Sequence, residues 1–426
     1  MTNLLNNKWV SMLFKGGLFP LISKGLSLVI VYVFYVFITQ RFGEQTTGEF
    51  ALFFTLLSIL SVFTKLGLDT SIVKQISSRI NHEGKNEIKS VYLRILTLVF
   101  LVSTILSVAV FFLGDFLTSQ FLEEGSQLFV YLPIGLLLFS LISINSESLR
   151  GLQKLSLYSL FQNFSLFGIA LIGVILFNQD LFSSFIGSLT LLMALSFILI
   201  LKALPKGDKI KVSSKGLLEE SFPMFLSNSA FFIMTWADVI MLSYFLTEDQ
   251  TGIYNNASKV ANLNIVFLFA INAIAAPKLA EFKAKNDESS IKAFTQTTSK
   301  YSIMLSMPIL IVILLFSEEL LGLFSDKSME GYVVLMVLAL GQFFNAACGS
   351  VVNVLNMTGY EKNARNVIMV TTVLNLILNY LLIPVYGILG AAISTAISVF
   401  VWNFWSVLII YKKFNFISIT MPWKKI

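Results

Sequence analysis

Twelve times along this chain a run of roughly twenty apolar residues recurs between short charged or turn-forming segments. The first, "FPLISKGLSLVIVYVFYVFI" over residues 19–38, holds a single charge, Lys24. Runs this long match the hydrocarbon thickness of a bilayer. A chain that buries its backbone in oil must satisfy every N–H and C=O internally, so helices are expected. Placed by their flanking charges and turn residues, the spans fall near 16–38, 49–73, 90–113, 128–149, 155–177, 183–202, 222–245, 254–277, 300–321, 332–357, 366–383 and 388–411. Composition agrees: only 13% of residues are charged, where a soluble protein has about a quarter. The expected fold class is therefore an all-α polytopic membrane protein. Lys8 and Lys15 precede the first run as in a signal peptide, but the run is about twice a signal core and no small-residue cleavage site follows, so an uncleaved helix is expected.

The loops between these spans alternate sides, and their basic residues do not. Of the 30 lysines and arginines, twenty-five fall on one side and only Arg41 and Lys327 on the other; Lys24, Lys65 and Lys259 lie within spans. Basic loops stay in the cytoplasm, which places both termini there and explains the net charge of +6 without a nucleic-acid partner. One cysteine, Cys348, gives no disulfide framework, and one histidine, His82, is too little for a metal cluster. No cofactor and no metal is expected. No GxxxxGK[ST] loop is present, so the chain is not expected to hydrolyse nucleotide itself.

The two halves echo each other. Phe19-Pro20 opens the first span and Phe222-Pro223 the seventh, 203 residues on; "TTGEF" with Gly48 is matched by "QTGIY" with Gly252 at 204; "LRGLQK" with Gly151 is matched by "MTGYEK" with Gly359 at 208. An even number of spans separates the copies, so the repeat is parallel, about an axis along the membrane normal. This divides the chain into a six-helix bundle at 1–205, a basic linker at 206–221 and a second six-helix bundle at 222–426. Duplicated bundles of this kind carry a substrate path at their interface and work by rocking.

Longer stretches resemble a known family. "RFGEQTTGEFALFFTLLSILSVFTKLGLDTSIVKQIS", "SLRGLQKLSLYS", "YFLTEDQTGIYNNASKV" and "VLNMTGYEKNARN" are similar to segments of bacterial polysaccharide flippases, in the superfamily that includes multidrug-and-toxin extruders. The resemblance implies a non-enzymatic transporter of the bacterial cytoplasmic (inner) membrane. Its substrate would be an undecaprenyl-pyrophosphate-linked oligosaccharide, an O-antigen or other surface-polysaccharide unit, carried from inner to outer leaflet. Other polysaccharide-assembly membrane proteins are the implied partners.

Polar groups inside the spans are the candidate site. Lys24, about 12 Å into its helix, either snorkels to the inner headgroups or faces a wet cavity that attracts a diphosphate. Arg150 and Lys154 at the inner mouth are topology determinants or part of the same basic funnel. Lys65 and Asp69, four apart, share a helix face and form a boundary pair or a gate. Asp238 and Lys259 fall at similar depth on an antiparallel hairpin; they pair structurally, gate, or leave Asp238 to bind a coupling proton or sodium ion. Asn264, and Asn375 with Asn379 on one face, join helices by hydrogen bonds or contact sugar hydroxyls. Trp236 and Tyr254 fit an aromatic belt. Embedded bases outnumber clearly embedded acids, which disfavours, without removing, a multidrug or metabolite antiporter. A glycan polymerase or ligase would need a larger outer loop than the roughly fourteen residues available.

Overall fold

The computed structural model describes residues 8–80, 87–121, 128–154, 157–158, 161, 163–177, 180–205 and 213–420. His82 and residues 206–212 of the basic linker lie outside them. The described chain is helical: α1 Lys8–Lys65, α2 Leu68–Ile80, α3 Ile88–Phe121, α4 Leu128–Gly151, α5 Asn163–Phe177, α6 Leu181–Ala203, α7 Ser214–Phe245, α8 Glu248–Ala261, α9 Val266–Ala284, α10 Glu288–Leu315, α11 Ser317–Gly322, α12 Tyr332–Cys348, α13 Val351–Met357, α14 Glu361–Tyr386 and α15 Ile388–Phe414. Among the described residues, helix is found within each of the twelve expected spans, in the fifth as α5 from Asn163 onward. Among the described residues eight helices are long and apolar enough to cross a membrane. Large apolar side chains such as Ile105, Phe112, Leu315 and Val385 point outward, 69–79% exposed. Such exposure is untenable in water and natural in lipid.

Interruptions within the spans separate what periodicity alone joins. α1 breaks at Gly43 (φ 85°, ψ 175°), backbone angles open only to glycine. The second break, at Leu66 and Gly67 (φ 49° and 75°), separates α1 from α2. A Cβ on Gly67 would lie 2.4 Å from the Ser221 carbonyl oxygen, so glycine also permits α7 to approach there. The spans expected as continuous at 254–277, 300–321 and 332–357 are each divided: by a 3-10 turn at Asn262–Ile265, by Phe316 between α10 and α11, and at Gly349-Ser350 between α12 and α13. Asparagine, serine and glycine at the first and last of these breaks offer local alternatives to the helical ladder.

The chain forms two compact units, residues 45–249 and residues 1–44 with 250–426. These cuts lie 205 residues apart, close to the repeat offsets. Relative to the repeat halves, the opening helix of each half is counted with the other unit.

In the 45–249 unit, Leu68, Ile72, Ile76, Tyr92, Ile144, Leu149 and Ile200 form one apolar core. Phe50, Phe53, Phe54, Phe167, Phe182 and Phe185 form an aromatic cluster with ring centroids 5.2–6.4 Å apart. Trp236 packs edge-on to Phe54 at 5.7 Å, inside this cluster rather than in a belt. Asn145, fully buried, accepts from the Tyr92 hydroxyl at 2.8 Å and donates to Ser196 Oγ at 2.9 Å, tying α4 to α3 and α6. Asn145→Ala is expected to destabilise by about 2–3 kcal/mol, since two buried partners lose their bonds. Thermal unfolding in detergent checks this.

In the other unit, Ala275, Leu279, Phe294, Cys348, Val354, Ile410 and Phe416 make the core. Tyr254, expected in an aromatic belt, is buried here. The turn from α9 to α10 is held by charge. Glu281, hydrogen-bonded by Lys285 at 2.7 Å and Lys278 at 2.9 Å, titrates at about 2 rather than 4.5. Asp287 caps α10 by accepting from Ser290 N–H at 2.9 Å and is held at about 2 by Ser290 and Ser289. Both carboxylates are depressed in the fold, so their support is complete above the ordinary carboxylate range and fades as pH falls toward 2. Amide exchange around residues 281–290 is expected to accelerate over that acid window, and α12 to stay protected.

Candidate functional site

Where α1 ends and α2 begins, the 45–249 unit holds four charges. Lys65 Nζ pairs with Asp69 at 3.2 Å, the lysine side chain only 8% exposed, and donates to Ser143 Oγ on α4 at 3.4 Å. One turn further along α4, Glu147 pairs with Arg150 at 2.7 Å. Tyr158 hydrogen-bonds Glu147, and the Arg150 guanidinium lies 5.5 Å from the Tyr158 ring centre. Lys65 and Asp69 are within electrostatic reach of Glu147. The expected Lys65–Asp69 pairing is thus present, and Arg150 belongs to the same constellation. Lys154 stands exposed just beyond it. Asp238 is buried in α7.

On the inner face of the same unit (in the orientation expected from loop charge), α7 is fastened to α2 by Lys74–Glu220 at 2.8 Å and by a Gln75–Glu220 bond. That side is the basic one: the Lys74 hydrogen bond holds the Glu220 carboxyl below its ordinary range.

In the other unit Lys259 on α8 places its Nζ 4.8 Å from the ring centre of Tyr35, a fully buried tyrosine that Asn255 hydrogen-bonds. A lysine inside a helical membrane protein with an aromatic face as neighbour is a desolvated cation, costly unless used. Asn264 is fully buried in the 3-10 turn, and its carbonyl accepts from Ser306 at 2.8 Å. Asn379 Nδ2 donates to Asn375 Oδ1 at 3.2 Å, confirming a shared face on α14. The Lys24 side chain lies outside the described side chains. Asp238 and Lys259 belong to different units, so their pairing stays a proposal.

Two residues that the sequence reading passed over stand at the unit boundaries. Glu44, 3% exposed, accepts from Asn256 Nδ2 at 3.0 Å, Ser325 Oγ at 2.6 Å and Ser328 Oγ. Thr39, Gln40 and Tyr32 extend this seam: Asn256 donates to Thr39 at 3.2 Å, Gln40 to the Leu323 carbonyl at 2.7 Å, and Tyr32 meets Phe324 at 5.3 Å. Glu248, also buried, accepts from Gln45 at 3.0 Å in its own unit. The two glutamates are 204 apart, each opening an E-x-x-T-G run that ends at Gly48 and Gly252. The repeat offset was the signal that pointed to them.

A helical fold of this length, with interrupted spans and charges inside them, defines a polytopic membrane protein built around buried polar stations. The chain belongs to the polysaccharide biosynthesis protein family, which matches residues 13–283; the MatE family matches residues 223–381. It is 26% identical over 371 residues to a probable low-salt glycan biosynthesis flippase, Agl15, of Haloferax volcanii, covering 85% of this chain and 76% of that one. It is 23% identical over 401 residues to a putative O-antigen transporter of Shigella flexneri, covering 90% and 94%. Among solved structures, the lipid II flippase MurJ in its inward closed conformation superposes with a TM-score of 0.74 at 16% identity, covering 92% of this chain and 88% of that one, a likeness of fold.

Proposed function

We propose that this protein is a flippase that carries a lipid-linked oligosaccharide across the membrane by alternating access, with the repeat halves 1–205 and 222–426 as its moving parts and 206–221 as their basic linker. Family membership, together with relatives named for glycan flipping and O-antigen transport, is the observation that carries the reading. The substrate is a polyprenyl diphosphate, undecaprenyl in a bacterial host, moved from inner to outer leaflet of the cytoplasmic membrane with both termini inside. Lys259, Arg150, Lys154 and Lys24 supply the positive charge that a diphosphate needs in place of water, and Asn264, Asn375 and Asn379 the hydrogen bonds for sugar hydroxyls. The membrane potential favours export: two negative charges leaving a negative interior release about 4–5 kcal/mol per 100 mV.

The MatE match favours one other reading, an ion-coupled antiporter of small molecules, with Asp238 as the coupling carboxylate. Deleting the gene and scoring lipid-linked saccharide on each leaflet separates the two. Accumulation on the inner leaflet supports the flippase; normal sidedness with heightened drug sensitivity supports the antiporter.

A further inference from the structure

The four-charge station in the 45–249 unit has a neutral twin. By the repeat offset of 204 at Gly48 and Gly252, Lys65 and Asp69 correspond to Phe269 and Ala273; by the offset of 208, Glu147 and Arg150 correspond to Leu355 and Thr358. All four charges are absent from the second copy. Leu355 and Thr358 are buried in that copy, where Asn272 Oδ1 accepts from Ser350 Oγ at 2.6 Å and from Asn353 Nδ2 at 3.0 Å. Amides and apolar side chains therefore suffice to build this part of a half. Enclosing the Lys65–Asp69 pair instead, its side chains 8% and 20% exposed, is expensive, and such pairs are often no more stabilising than apolar replacements. The charges in the first copy answer a need other than folding.

Glu147 is the member placed to change state. Its side chain is 18% exposed, enclosed yet reachable by solvent, and it meets a partner from each direction: Arg150 on its own helix, Lys65 and Asp69 from the α1–α2 break, Tyr158 from the segment after α4. The neighbouring helices α3 and α6 present Tyr92 and Ser196, both engaged with Asn145 one half-turn away. With both carboxylates ionised the set is neutral. A proton on the Glu147 carboxylate leaves it at +1 and takes away the counterion of Arg150, whose side chain is 40% exposed and then free to meet an anionic headgroup. We infer that Glu147 is a proton-binding site that links the protonation of this unit to loading of the diphosphate, an inference that rests on the flippase reading above.

Infrared difference spectra of the purified full-length protein in detergent, recorded on acidification, test the site without requiring transport. The expected result is a carboxylic-acid carbonyl band in the unaltered protein and in Asp69→Asn that is missing from Glu147→Gln. In proteoliposomes, flipping of a fluorescent polyprenyl diphosphate disaccharide is expected to lose its pH dependence in Glu147→Gln. A band that survives in Glu147→Gln, or an unchanged pH profile in that variant, overturns the inference. If the band behaves as expected while no lipid-linked sugar moves, the proton site stands and the flippase reading falls.

Discussion

Lys259→Met is expected to lower flipping by about 30- to 100-fold in protein that still folds. The Lys259 Nζ lies 4.8 Å from the Tyr35 ring centre inside the 1–44 and 250–426 unit. A hydrogen bond to a charged group contributes about 1.5–3 kcal/mol, and 1.36 kcal/mol is a factor of ten in rate. Methionine fills the volume of the lysine stem, so the core around Tyr35 keeps its packing. Lys259→Arg keeps the charge on a bulkier group and recovers part of the rate. Reconstituted flipping read beside thermal unfolding checks both sides. Transport at the ordinary rate in Lys259→Met would remove this cation from the substrate path.

Glu44→Ala gives the largest loss of stability, about 3–6 kcal/mol, and a sharp fall in membrane yield. Three donors, on Asn256, Ser325 and Ser328, converge on its carboxylate in a buried setting. Truncation takes the acceptor from the Ser325 and Ser328 hydroxyls, at about 1–3 kcal/mol apiece, while Asn256 keeps Thr39 and Ser328; the total stability is only about 5–15 kcal/mol. Glu44→Gln retains a carbonyl acceptor and is expected to lose about half as much. Thermal unfolding of the two variants in detergent separates loss of charge from loss of the acceptor.

Hydrophobicity made the twelve spans readable, because a bilayer enforces run length and leaves few alternatives. It could not reveal where helices interrupt themselves. The break at 262–265 contains no proline, and Asn262 and Asn264 look from the sequence like any other polar pair inside a span. Lys65 with Asp69, and Asn375 with Asn379, were legible because helical spacing alone brings them together. Glu147 was visible as an acid in a span, yet its partners Lys65 and Asp69 come from a helix some eighty residues earlier, a contact that spacing does not encode. Glu44 carries no local mark of burial, since a glutamate beside glycine at a span boundary is ordinarily solvated. Its burial depends on Ser325 and Ser328, nearly three hundred positions away.

That distance has a consequence for biogenesis. The arm ending at Glu44 leaves the ribosome some two hundred residues before Asn256 and nearly three hundred before Ser328. At about 5–20 residues per second, it waits roughly 10–60 s in the lipid for the segments that complete its docking. Until Asn256 emerges a carboxylate destined for three hydroxyl and amide donors has none of them, so a newborn chain needs shelter for this helix until the segment carrying Ser325 and Ser328 has been made.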